Sequence, residues 1–81
     1  MKYYLVKLLT NTAGQDGSSI AVYQDSDDKT AKDNALVAYH QTLANFHNAA
    51  DVLYAVVEIV TESGGVETVE IVDHRPEPVE E

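Results

Sequence analysis

The residue pattern predicts an α+β fold: a two-layer sandwich of ββαββ order. A mainly antiparallel sheet of three to four strands carries one helix packed on one face. Three observations lead there. Two strand-like runs flanking a turn-rich segment open the chain. An apolar stripe stepping by three and four residues occupies the middle. Two more strand-like runs, split by Ser63-Gly64-Gly65, follow it.

Lys2–Thr10 is rich in aromatic and β-branched residues and free of Gly and Pro, as a strand should be. The turn residues of Asn11–Ser18 predict a long, mobile loop, with Gly14 and Gly17 free to take positive φ. Ser19–Gln24 reads as a short second strand closing a hairpin. Asp27, Asp28 and Thr30 are candidate N-caps, and Thr30 with Asp33 resembles a capping box. The helix runs from there to about Asn48. Leu36, Tyr39, Leu43, Phe46 and Ala50 make its apolar stripe, widened by Ala35 and Thr42, with Asn34, Gln41, Asn45 and Asn48 opposite. Asp51–Thr61 and Val66–Asp73 form the closing hairpin. Residues 1–73 are read as one domain, and 74–81, with two prolines and four charges, as a disordered acidic tail.

Strand parity sets the expected faces. Leu53, Ala55, Val57 and Ile59 should point at the helix. A three-residue loop, Ser63–Gly65 with Gly65 left-handed, would pair Ile59 with Val69 and Val57 with Ile71. That register sets Glu58 opposite Glu70, with Lys7 to neutralise them. If Tyr4, Val6 and Leu8 also face the helix, the uncovered face carries Tyr3, Leu5 and Leu9 from the first strand. Tyr54, Val56 and Val60 join from the third, and Val72 and Thr68 from the last. A solvated face would alternate to polar residues. An apolar one marks an interface, and the simplest occupant is a second copy. Tyr3, Leu5, Leu9, Tyr54, Val56, Val60 and Val72 are therefore the interface candidates.

Composition narrows the functions. With 81 residues the chain has room for one modest core, and without cysteine it has neither disulfides nor thiolate zinc sites. The net charge is −9. Four lysines meet five aspartates in residues 1–50, while nine acids face Arg75 alone in residues 51–81, so the excess lies late in the chain. A phosphate backbone is a poor partner for such a surface, so no direct nucleic-acid binding is expected. No segment reads as a membrane span or signal peptide, and a cytoplasmic location is expected.

Candidate chemistry is sparse. Glu58 and Glu70 could serve as a carboxylate pair but need a cleft. His40, His47 and Asp33 share one helix edge at seven-residue spacing, too wide for a shared metal, and His74 has no evident partner. Ser18, Ser19 and Ser63 are turn serines without a nucleophile context. Neither Gly-rich turn leads into a helix that could hold phosphate. The five tyrosines lack the basic groove that base stacking requires. No catalytic residue, cofactor or metal is expected.

The run Tyr3-Tyr4-Leu5-Val6-Lys7, the helix segment Ala35-Leu36-Val37-Ala38-Tyr39-His40-Gln41-Thr42-Leu43 and a closing hairpin resemble one group of proteins. These are small β-α-β-β type proteins of Gram-positive gut bacteria and their mobile elements. The resemblance covers most of residues 2–73 and implies that fold, with no activity attached. Asp25–Lys32 and the acidic tail lie outside it.

Three functions remain. The first is a non-enzymatic interaction or structural protein, self-associating through the open sheet face, with a dimer the simplest form and an unidentified protein the other possible partner. The second is an acidic inhibitor that mimics nucleic acid. The third is a small-ligand-binding module.

Overall fold

The computed structural model describes residues 2–75. Strand β1 (Lys2–Asn11) and strand β2 (Asp16–Gln24) form a hairpin. Helix α1 (Asp28–Asn48) follows, then strands β3 (Val52–Thr61) and β4 (Val66–Asp73). The four strands form one open antiparallel sheet in the order β2-β1-β3-β4, with α1 packed against it: an α+β two-layer fold.

The first loop is short and tied. Asn11 Oδ1 accepts hydrogen bonds from the backbone N–H groups of Ala13 and Gln15, at 3.0 and 2.9 Å. Gly14 takes the positive φ of +81° that this reversal needs, and Gly17 belongs to β2. The expected long mobile loop is thus a four-residue turn between the two strands. An Asx side chain can satisfy such a turn's backbone donors by itself, and turn composition does not reveal that.

Asp27 is the N-cap of α1. Its side chain accepts from Thr30 Oγ1 at 2.7 Å instead of capping a backbone N–H, so the capping box of Thr30 with Asp33 does not form. Asp33 pairs with Lys29 instead, at 2.9 Å. Ala31, Ala35, Tyr39 and Leu43 are the buried stripe, while Leu36 and Phe46 flank it and Ala50 is exposed. The stripe therefore starts a turn earlier than expected. Ala31 and Ala35 are fully buried, and their small side chains let the helix backbone approach the sheet.

The core joins that stripe to Tyr3, Leu5, Val52, Ala55, Val57, Ile59 and Val72. In β3, Ala55, Val57 and Ile59 face the helix as expected. Leu53 lies within an irregularity against β1, where Thr10 pairs with Tyr54 but Asn11 with Val52, and Val52 takes the buried place.

The facing of β1 is opposite to expectation. Tyr3 and Leu5 are buried under α1, 6% and 1% exposed, and Leu9 packs against the core. Tyr4, Val6 and Leu8 face away. Both parities of this strand are largely apolar, Lys7 apart, so its pattern leaves the choice open. The choice is made by tertiary contacts such as Tyr3 Oη donating to Asp28 Oδ1 at 2.9 Å. That bond to a carboxylate raises the Tyr3 hydroxyl above its ordinary pKa.

The closing hairpin differs too. Thr61 N–H donates to Gly65 O at 2.7 Å, which encloses Glu62, Ser63 and Gly64. Gly64, rather than Gly65, is left-handed, with φ +93°. A register shift follows: Val60 pairs with Val66, but Ile59 pairs with Thr68. Glu67 is the extra residue of this bulge. The bulge aims Glu67 at Lys32 of α1 and Thr68 Oγ1 at the Tyr39 hydroxyl, 3.4 Å away. The Glu67 carboxylate raises the Lys32 pKa.

Past the shift, Val57 pairs with Glu70 and Glu58 with Val69. Glu58 and Glu70 therefore lie on opposite sheet faces and do not oppose each other. Lys7, Glu70, Thr68 and Val72 are all on the helix side. The notion of Lys7 neutralising an opposed carboxylate pair falls with that register. Lys7 instead shares a surface hollow with Phe46.

Candidate functional site

The side of the sheet away from α1 has four cross-strand rows running β2-β1-β3-β4, with Gln24 and Lys2 as a shorter polar row beyond the first. The first is Val22, Tyr4, Val60 and Val66. The second is Ile20, Val6, Glu58 and Val69, and the third is Ser18, Leu8, Val56 and Ile71. The fourth is Asp16, Thr10, Tyr54 and Asp73. The first three rows are apolar except at Glu58 and Ser18, and the fourth is polar except for Tyr54.

Much of this apolar surface is open to water. Ile20 is 66% exposed, and Val22, Val66, Val69 and Ile71 are all more than half exposed. Tyr4, Val6, Val56 and Val60 in the central strands are half-buried by their neighbours. Four strands at ~4.8 Å spacing and four rows at ~6.7 Å give a face of roughly 19 by 27 Å, about 500 Å² in projection.

The polar row is internally paired. Thr10 Oγ1 donates to Asp16 Oδ1 at 2.7 Å. Arg75 binds Asp73 through two nitrogens, at 2.9 and 2.8 Å, and its guanidinium lies 4.5 Å from the Tyr54 ring centre. The guanidinium and the Arg75 backbone N–H hold the Asp73 carboxyl down at about 2. His74 is fixed beside them: its N–H donates to Leu53 O, and Nδ1 lies 2.9 Å from Val52 O. His74 and Arg75, the first two residues of the expected tail, are thus hydrogen-bonded to β3 and to Asp73. Residues 76–81 of that expectation lie outside the described residues. A depression of about 410 Å³ lies next to the polar row, walled by Leu8, Val56 and Tyr54 and floored where Gly17 and Ser18 carry little side chain.

Of the interface candidates, Tyr54, Val56 and Val60 are on this face. Tyr3, Leu5, Leu9 and Val72 are on the helix side, and Tyr3, Leu5 and Val72 are buried there. Sequence reasoning missed Tyr4, Val6, Leu8, Ile20, Val22, Val66, Val69 and Ile71 as members of this face. Ile20 and Val22 offered a signal: two β-branched residues at strand spacing, in a segment otherwise polar or small, belong to one side of an edge strand.

The other candidate groups do not assemble. His40 and His47 are exposed, and the His47 ring comes within 6.3 Å of His74, an approach the sequence did not reveal. Among the described residues, no group of three or more His, Asp or Glu side chains is placed to hold a metal ion. Nor is any described helix long and apolar enough to cross a membrane. No protein-family profile, curated protein or solved structure matches the chain.

Proposed function

We propose that this protein is a non-enzymatic interaction module that self-associates as a dimer, sheet face against sheet face. The carrying observation is the apolar grid spanning all four strands on the side that the helix does not cover. Each partner in a stable interface of standard size loses about 800 Å² of accessible surface. A corrugated face of about 500 Å² in projection approaches that figure. Two such faces pack about 10 Å apart, as in a β-sandwich.

The charge distribution gives less support to a nucleic-acid mimic. Asp16, Asp28, Asp33, Glu67 and Asp73 are each engaged by Thr10, Tyr3, Lys29, Lys32 and Arg75. A mimic needs its carboxylates displayed in a row toward a basic partner.

Light scattering across a dilution series tests the proposal. The expected mass at high concentration is twice the 8.9 kDa of one chain, falling as the sample is diluted. A mass of one chain at every concentration overturns the reading and turns the search to ligands of other chemistry.

A further inference from the structure

The open face carries one charge, Glu58, within its apolar rows, and that charge dictates how two copies can meet. Resting on the self-association proposed above, we infer that the dimer's two-fold axis runs parallel to the strands, so that β2 of each copy covers β4 of the other.

Two sheets related by an in-plane two-fold axis have two simple alignments. If the axis runs across the strands, row order inverts. Stacking the polar ends, the Asp16 row on Gln24 and Lys2, then lays the Glu58 row on itself and sets Glu58 against its own symmetry mate. If the axis runs along the strands, row order is kept and columns exchange. Apolar rows then stack on apolar rows, and the polar row meets its own kind. Like charges buried directly opposite each other are costly, so the second alignment is favoured.

Shape points the same way. In the row-preserving alignment Ser18 faces Ile71 of the second copy, so an exposed side chain enters the depression of about 410 Å³ beside Ser18. At the polar end, Arg75 on its Asp73 comes to Asp16 of the second copy, which gives that carboxylate a cation. Glu58 faces Val6 of the second copy rather than its own symmetry mate, so like charges are kept apart.

The test is an isotope-filtered NOE experiment on a mixture of labelled and unlabelled wild-type protein, with the mass measured on the same sample. Intermolecular contacts from the Ile71 methyls to Leu8 and Ser18 are expected. A dimer showing Ile71 to Val66 and Ser18 to Val22 contacts instead has its axis across the strands; that overturns this inference and leaves the self-association reading standing. A dimer with no intermolecular contacts from Ile71 does the same. A monomer overturns both.

Discussion

Val56 and Val57 are neighbours on β3 that point to opposite faces, and an aspartate at each should have a separable effect. Val57 is fully buried under α1. Replacing it loses about 2 kcal/mol of apolar burial and leaves a carboxylate unpaired in the core, at several kcal/mol more. A domain of this length has about 4–12 kcal/mol of stability in all, so Val57→Asp should not fold. Val56 faces the open side and is half-buried. There an aspartate can stay hydrated in the monomer, and its cost is the strand preference, within about 1 kcal/mol. In a dimer, two-fold symmetry buries two such carboxylates. At about 2 kcal/mol each, association weakens by roughly 1,000-fold. Far-UV circular dichroism and light scattering read both effects. Val56→Asp should give one cooperative melt independent of concentration and the mass of a monomer. A Val56→Asp protein that stays dimeric, or fails to fold, would refute the interface reasoning. A Val57→Asp protein that folds would refute the assignment of faces.

Glu58 is the charge within the apolar rows, so Glu58→Val should tighten self-association by at least ~30-fold, about 2 kcal/mol, in dilution series; unchanged affinity would place Glu58 outside the contact. Asp73 titrates at about 2 against an ordinary 3.8, so its folded pKa is depressed. The pairing with Arg75 therefore adds stability above about pH 4 and loses it as pH falls through 2. Carboxyl NMR should give that midpoint and show it moving back toward 3.8 in Arg75→Ala. Gly64→Ala should cost about 1–2 kcal/mol, read as a lowered thermal midpoint, because φ +93° disfavours a side chain, whereas Gly65→Ala should cost less. The reverse ranking would restore the turn placement expected from sequence.

The element order and most strand and helix limits were legible because they rest on local periodicity and turn chemistry. Facing was legible in β3, where Ala55, Val57 and Ile59 meet the helix. It was not legible in β1 or β4. Tyr3, Leu5 and Leu9 alternate with Tyr4, Val6 and Leu8, so either set can fill a core. The expectation also assumed that Val69 and Ile71 must face the helix and Glu70 must not. In the fold, β4 is an edge strand with Glu70 at the exposed margin of the helix side, while Val69 and Ile71 join the other face. The bulge at Glu67 sets this register, and the left-handed glycine is Gly64, one residue from where turn length alone placed it. A one-residue slip exchanges every side chain between faces.

Both faces of the sheet carry branched apolar residues, and only one of them is covered. The helix side packs Leu5, Val57, Ile59 and Val72, with the small Ala55 among them, in one core with Ala31, Ala35, Tyr39 and Leu43 of α1. The open side has Val6, Val22, Val56, Val60, Val66 and Val69 together with Ile20 and Ile71. Branched residues on a pleated surface suit another pleated surface, where they interdigitate across about 10 Å. A face kept merely for solvent would alternate toward threonine, lysine and glutamate. This one places bulky apolar side chains at the very edges, in β2 and β4, where a monomer would be least able to shield them. Its polar groups lie at its two ends and at Glu58 and Ser18. Such a surface is complementary to another sheet, and the second copy supplies one with the same rows, the same polar ends and an isoleucine opposite the depression.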